Sequence, residues 1–571
     1  MLNAEVNGEV NPRWGMLKWG LLLLALFPYF VNLGSSSIWD ANEAFYVETP
    51  REMMERGDYV FPTFNYEPRV NKPVLSYWIV AGFYQLFGVS VGVQRLPIAI
   101  GAIVLIAAAF FLARAAAPGV DSVGQTSSTR DVGSQAAWWA ALGLAVSPRL
   151  FIFARRIFID IYISMFMGLT LLFFALSERY PQRRGLFLRL MYVAVGLGVL
   201  TKGPVAIVLP GLVFAVYLIV HRELRRIGQM MLPTGTAIVL AIVVPWYAAL
   251  YRVAGWEPIR SFILGENYER FAHGVGVSAD RPFWWYLPVV FSDSFPWSLL
   301  LIPAGIAWFR DRRTGVSATS DPAFRVRTLL WLWILTIVGF FSLSVAKQDL
   351  YIFPIVPAVV ALAGVAIARA TESSSNTPRI DLVSAVMGIL LAVAGAAFLF
   401  LFRGPTVVYA LAGSTVVGLC GLTSGLGAAV LAWRQRALSA LTVVAAGLIA
   451  VNWTFALRVM PSFEIYKPAP ALAEVLRERA EPTDLIVTYN VAMPSLVYYL
   501  RRHIDVFYEE DEVLQVLRSN APLFLMASED DYNRIVEPAL PKGALCRVPR
   551  GRRSMSSCEM CSRASGCRRL S

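Results

Sequence analysis

Residues 38–78 read IWDANEAFYVETPREMMERGDYVFPTFNYEPRVNKPVLSYW, and the rest of the chain is best read outward from them. The stretch sets Asp40, Glu43, Glu48, Glu52, Glu55, Asp58 and Glu67 against Arg51, Arg56, Arg69 and Lys72. An apolar run, Trp14 to Leu33, precedes it, and another begins soon after it. Runs of about 20 apolar residues are long enough to cross a bilayer. A segment this rich in both charge signs between two such runs points to chemistry at a membrane surface.

The composition agrees. Of 571 residues 57% are hydrophobic and only 16% charged, and the mean hydropathy is +0.56. The fold class expected is therefore mainly α, a polytopic membrane protein. Arg13 and Lys18 stand at the entry of the first span, and no small-residue cleavage site follows it, as in an uncleaved anchor. Further spans are expected near 88–113, 136–154, 160–177, 188–201, 203–220, 232–251, 283–309, 328–345, 350–368, 382–402, 407–431 and 438–457, about thirteen in all.

The net charge of +12 belongs to this topology rather than to nucleic-acid binding, because Arg and Lys gather in cytoplasmic loops and no nucleic-acid module accompanies them. With the N-terminus inside, the even-numbered connections hold the dense arginines: Arg183 and Arg184, Arg225 and Arg226, Arg312 and Arg313, Arg434 and Arg436. The 38–78 segment and the residues after the last span then lie outside the cytoplasm. Residues 1–457 are expected to form the membrane domain, 458–545 an α/β domain on that outer side, and 546–571 a basic, disordered tail.

Several cations break the charge rule. Arg149, Arg155, Arg156, Lys202 and Lys347 fall on the outer side near membrane depth, without a matching excess of carboxylates. Ionisable groups there are costly unless paired or solvated. One cation alone can snorkel to the interface. Five on one side suit a shared anionic ligand, such as a phosphate or diphosphate head group. Asp40 and Glu43, three residues apart, suit a general base, a metal pair or partners for an Arg. The residues after them have the spacing of an amphipathic interfacial helix, with Phe45, Met53 and Met54 among charges.

Residues 42–78 resemble the first periplasmic loop of the GT-C superfamily of integral-membrane glycosyltransferases. The likeness is to the bacterial aminoarabinose transferases that modify lipid A and, more distantly, to the protein O-mannosyltransferases. It extends through FIDIYISMFM, LGVLTKGPVAIVLPGLV, ENYERFAHGVGVSADRPFWWYLPVVFSDSFPW and FSLSVAKQDLYIFPIVPAVVAL, in order, over about residues 15–370. It implies a GT-C bundle and transfer of a sugar from a polyprenyl-phosphate carrier, of the undecaprenyl-phosphate type, to an outer-face acceptor. That acceptor would be lipid A, another glycolipid or glycan, or a protein. The resemblance makes Asp40 and Glu43 the candidate catalytic acids. It makes Lys72, Lys202, Arg270 and Lys347 carrier-phosphate ligands, with Asp160 orienting one of them. Tyr46, Arg69, Arg155, Arg156 and Glu266 complete the candidate carrier and sugar site. No cofactor is required, although Asp40, Glu43 and Asp160 offer a set for a divalent metal. A monomer is the default for this architecture.

The chain also departs from that pattern. The transferases read Asp-Glu where it has Asn42-Glu43, and an Arg where it has Phe45. They carry a Glu where it has Asn71, and a Tyr where it has Arg69. An Asn cannot act as a base, so the role falls to Asp40 or Glu43. These changes argue against an aminoarabinose donor specifically and toward another sugar, another acceptor, or both.

Only three histidines exist, which disfavours a His-based triad or metal site, and phosphate-cradling Gly loops are absent. The tail cysteines Cys546, Cys558, Cys561 and Cys567 contain one Cys-x2-Cys pair, but the remaining spacing does not suit a usual zinc ribbon. The reading from a different class is a transporter or flippase for a lipid-linked anion. Transporters show paired repeats and broken helices, and no such repeat is visible here.

Overall fold

A computed structural model describes residues 12–40, 42–118, 127–274, 281–313, 321–371, 380–402, 409–519, 521–539, 546–547 and 558–562. The chain divides into two compact units. One comprises Met1–Asn32, Val70–Ser76 and Arg95–Val459; the other comprises Leu33–Arg69, Tyr77–Gln94 and Met460–Ser571. Residues 33–69 therefore fold with the C-terminal residues, a partnership that hydropathy along the chain cannot reveal.

The first unit is helical. Among the described residues, nine helices are long and apolar enough to cross a membrane. Two further pairs are bent at a break, Val132–Ala145 with Pro148–Ala154 by 59° and Phe283–Asp293 with Trp297–Arg313 by 105°. Met16–Tyr29 and Val205–Val220 are shorter apolar helices. The expected total of about thirteen is reached only if both bent pairs and both short helices cross. Prolines stand at both breaks, Pro148 and Pro296, where a missing N–H ends the hydrogen-bond ladder. The span Asp349–Ala370 is 89% buried and forms the centre, whereas Leu232–Ala254 is 11% buried and sits at the rim. Helices Ile380–Leu401 and Ser414–Trp433 touch backbone to backbone: a Cβ on Gly395 would lie 2.3 Å from the Leu422 nitrogen. Small residues give such a seam its dispersion contacts.

The second unit holds helix Asn42–Arg56 and an α/β domain. Its sheet runs Asp505–Phe507, Leu485–Tyr489, Leu523–Ser528, Cys558–Ser562, Cys546–Arg547. The first three strands are parallel and the last two are added antiparallel. Helices Ser495–Leu500 and Glu510–Arg518 make the crossovers, each burying apolar residues such as Leu496, Val513 and Leu517. The expected disordered tail thus contains two strands. Leu523–Ser528 is buried along its length and has an edge to cover, and Cys558–Ser562 covers it. Cys567 lies outside the described residues.

Helix Asn42–Arg56 forms where expected, but it is not an interfacial helix with its charges in water. Glu48, Arg51 and Glu52 are buried. Arg51 donates to Glu48 at 2.6 and 2.8 Å and to Glu55 at 2.7 Å. Glu52 accepts from the Thr63 hydroxyl at 2.6 Å and from the Tyr66 N–H. Buried charges persist where partners satisfy them in this way.

Candidate active site

In the first unit, three of the candidate cations converge. Lys202 is the last residue of helix Arg184–Lys202, and Gly203 after it turns the chain at φ +91°. Any side chain there would be strained, and its Cβ would stand 2.6 Å from the Phe262 ring. The turn aims the Lys202 ammonium at Asp160, in the first turn of helix Ile159–Arg179, and holds it 5.6 Å from the Tyr351 ring centroid. Arg270 follows the π-helical stretch Ser261–Glu269 and pairs with Glu266 at 3.2 Å. Glu266 in turn accepts from Lys72 at 2.7 Å. Lys202 and Arg270 both act on the Tyr351 hydroxyl, which closes the set.

Among the described residues, the ion pairs of Lys72, Arg270 and Lys202 are with Glu266 and Asp160, three positive charges against two negative. Burial lowers the Lys72 ammonium below the ordinary lysine range; Glu266 opposes this, and Lys202 and Arg270 add to it. An anion bound here would relieve that mutual repulsion. The lysines add point charges with donors to spare.

The other predicted cations are placed differently. Lys347 is buried and donates to the Ser344 carbonyl at 2.6 Å, at the end of helix Pro322–Leu343. Among the described residues it has no carboxylate partner. Arg155 is buried, and its guanidinium donates to the carbonyls of Pro28, Val31 and Asn32, at the end of the first helix. Helix ends leave carbonyls without partners, and Arg155 answers that need. Arg156 is half-buried in the turn beside it. Arg149 pairs with Asp293 at 3.2 Å and Asp349 at 3.5 Å, carboxylate partners that the sequence did not suggest.

In the second unit, Asp40 sits in the turn before helix Asn42–Arg56 and accepts the Ser495 N–H at 2.7 Å. Its surface is exposed, yet the protein packed around it desolvates the carboxyl and raises its pKa, against the Ser495 hydrogen bond and the Lys467 charge. Glu43 is 2% exposed and accepts the Trp39 N–H at 2.9 Å, a bond that fastens the turn. Tyr46 is buried and stacks on Tyr77 with centroids 5.7 Å apart. Arg69 lies 3.8 Å over the Phe45 ring. Two positions where the chain departs from the transferase pattern are thus in contact: where the pattern has Arg and Tyr, this chain has Phe and Arg.

Tyr351, Ser495 and Lys467 were not singled out from sequence. Tyr351 could have been, since it stands four residues after Lys347 in a stretch otherwise apolar. Nothing local marks Ser495 or Lys467. Among the described residues, no group of three or more His, Cys, Asp or Glu could hold a metal ion.

The family described as dolichyl-phosphate-mannose-protein mannosyltransferase matches residues 127–248. An undecaprenyl phosphate-alpha-4-amino-4-deoxy-L-arabinose arabinosyl transferase of Pseudomonas fluorescens strain Pf0-1 is 27% identical over 93% of this chain and 89% of its own length. Its counterpart in Pseudomonas aeruginosa strain UCBPP-PA14 is 31% identical over 59% of this chain and 57% of its own. ArnT from Cupriavidus metallidurans, solved bound to undecaprenyl phosphate, superposes with a TM-score of 0.76 over 97% of this chain and 99% of that one, at 23% identity. In sequence and in fold, the chain is thus similar to the aminoarabinose transferases over nearly its whole length.

Proposed function

We propose that the protein transfers a sugar from a polyprenyl-phosphate carrier, of the undecaprenyl-phosphate type, to an acceptor at the periplasmic face of the inner membrane. A glycolipid of the lipid A kind is the first acceptor to test. The observation that carries this reading is the set Lys72, Glu266, Arg270, Lys202, Asp160 and Tyr351, which gathers more cationic than anionic charge beside a phenol hydroxyl. In this reading the acceptor oxygen attacks the anomeric carbon, and the bond from that carbon to the carrier phosphate oxygen breaks. The phosphate leaves with the electron pair. Lys72, Lys202 and Arg270 stabilise the charge that develops on it, so it needs no proton. Asp40 takes or orients the acceptor's proton, and Glu43 keeps the turn that presents it. Lys347, buried and among the described residues without a carboxylate partner, supplies a further cation. Arg69 stands in for the cation that the family places at position 45.

The reading puts the N-terminus in the cytoplasm and the α/β domain in the periplasm, with the bundle over residues 1–457 and one copy of the chain sufficient. The test is mass spectrometry of envelope glycolipids, glycans and glycoproteins from cells with the gene, without it, and with Asp40→Asn, Glu43→Gln. One sugar modification should vanish in both the deletion and the variant. Carrier-linked sugar accumulating on the cytoplasmic face, with the variant behaving as the parent, would instead indicate a flippase.

A further inference from the structure

Four consecutive residues at the entry of the first outer loop are each tied to a residue more than 400 positions later, all within the second unit. The Glu464 carboxylate accepts the Ser37 N–H at 2.8 Å, and the Tyr499 hydroxyl accepts the Ile38 N–H at 2.8 Å. Lys467 donates to the Ser37 carbonyl at 2.5 Å and lies 4.1 Å from the Trp39 ring centroid. The Ser495 N–H donates to Asp40 Oδ1 at 2.7 Å. The returning half of the loop is held as well. The Asn65 side chain exchanges hydrogen bonds with the Ile504 backbone at 2.7 and 2.9 Å, and the Tyr66 hydroxyl donates to the Arg501 carbonyl at 2.9 Å.

The place where Asp40 is held follows from the sheet topology. Ser495 opens the helix after strand Leu485–Tyr489. The chain pairs that strand first with Asp505–Phe507 on one side and then with Leu523–Ser528 on the other. In open parallel sheets the carboxyl end of such a strand, where the connections diverge, is where ligands sit. Here that end holds a carboxylate from the protein's own loop. The Ser495 N–H fixes Asp40 Oδ1, and the Ser495 side chain bears on the same carboxylate.

We infer that the C-terminal α/β domain positions the catalytic base: Ser495 and Lys467 hold the Asp40 carboxylate in place for the acceptor. This rests on the proposed role of Asp40 as acceptor base. Lys467 and Ser495 are positioning residues, since neither touches the reacting atoms. Lys467 is the charged group acting on Asp40, and it favours the ionised carboxylate against the cost of burial. Removing that charge raises the pKa of Asp40, so activity that needs the carboxylate should fail at a higher pH.

The experiment uses the full-length chain in permeabilised membranes of deletion cells, which supply donor and acceptor. Formation of the modified envelope species is followed by mass spectrometry across pH, each variant scaled to its own maximum. Lys467→Gln keeps a donor for the Ser37 carbonyl and loses the charge. It should move the acid limb up by roughly half a unit to one unit, and Lys467→Arg should return it to the parent's position. Hydrogen exchange over residues 37–69 should quicken in Lys467→Gln and not in Lys467→Arg. A limb unmoved in Lys467→Gln while Asp40→Asn is inactive overturns the positioning role alone. An active Asp40→Asn removes the acid reading beneath it.

Discussion

Helix Ile159–Arg179 carries an acid near each end, and the protein surrounds the two differently. Asp160 meets one lysine, Lys202, in a cluster whose bonds are mostly single. Glu178, roughly 27 Å away along the helix, is 2% exposed at its side chain and meets Arg184, Arg226 and Arg325 at 2.7–2.9 Å. Glu223 joins this second network, with Arg325 gripping both of its oxygens at 2.6 and 3.0 Å and donating again to the Tyr217 hydroxyl. Around Glu178 and Glu223 the count is also three cations to two carboxylates. The difference is therefore one of chemistry, not of charge. Arginine forks fill their geometry with fixed partners and lock helices together, while lysine ammoniums keep donors open for something that arrives.

That contrast breaks first on activity. Lys72→Met should lower formation of the glycosylated product by about 10²- to 10³-fold. Glu266 keeps Arg270 as a partner, so the thermal midpoint of the purified protein should hardly move. If activity survives, the lysine cluster is as structural as the arginine one. Glu178→Gln should do the reverse. Removing the acid from a buried network leaves three guanidinium groups short of charge and should cost about 3–5 kcal/mol of stability. The protein that remains folded should keep its turnover, read as product per folded molecule.

The arginine network also has an acid-side signature. Hydrogen bonds and charge from Arg325 and Arg226 hold Glu223 down at about 2, below its usual 4.5. A carboxylate depressed in the folded state stabilises it fully above the unfolded value and loses that effect as pH falls through the folded one. Thermal stability should therefore decline between about pH 4.5 and about 2, and Glu223→Gln should flatten that part of the curve. The smallest effect concerns the contact of Arg69 with Phe45. Either Phe45→Arg or Arg69→Tyr alone changes the number of cations and should reduce product a few-fold. The double variant keeps the number and should recover most of the loss, since the exchanged contact amounts to about 0.5–1 kcal/mol.

Much of the bundle was legible because hydropathy is a local property, and so was the Thr-Lys-Gly turn that fixes Lys202. Arg155 and Lys347 show the limit. A cation near membrane depth fits a ligand and a helix end equally well, and the carbonyls of Pro28 and Ser344 leave no trace in the pattern. The buried charges of residues 48–52 were misread for a related reason. Helical spacing tells which residues share a face, not whether partners wait beneath it. The sequence leaves Asp40 and Glu43 as alternatives, and no reading along the chain could find the Ser495 N–H that holds Asp40.

That last contact has a consequence for how the protein is made. Asp40 and Ser495 are 455 positions apart, and the loop's other partners are nearly as far away. At about 5–20 residues per second, synthesis takes roughly 20 to 90 seconds to travel from one to the other. For most of that interval the loop has left the ribosome, with Glu48, Arg51 and Glu52 in place, but the strands that will hold it do not yet exist. The setting of Asp40 is completed only after the whole membrane bundle has been made, and a ribosome that stalls before Ser495 releases that bundle with its loop unclasped.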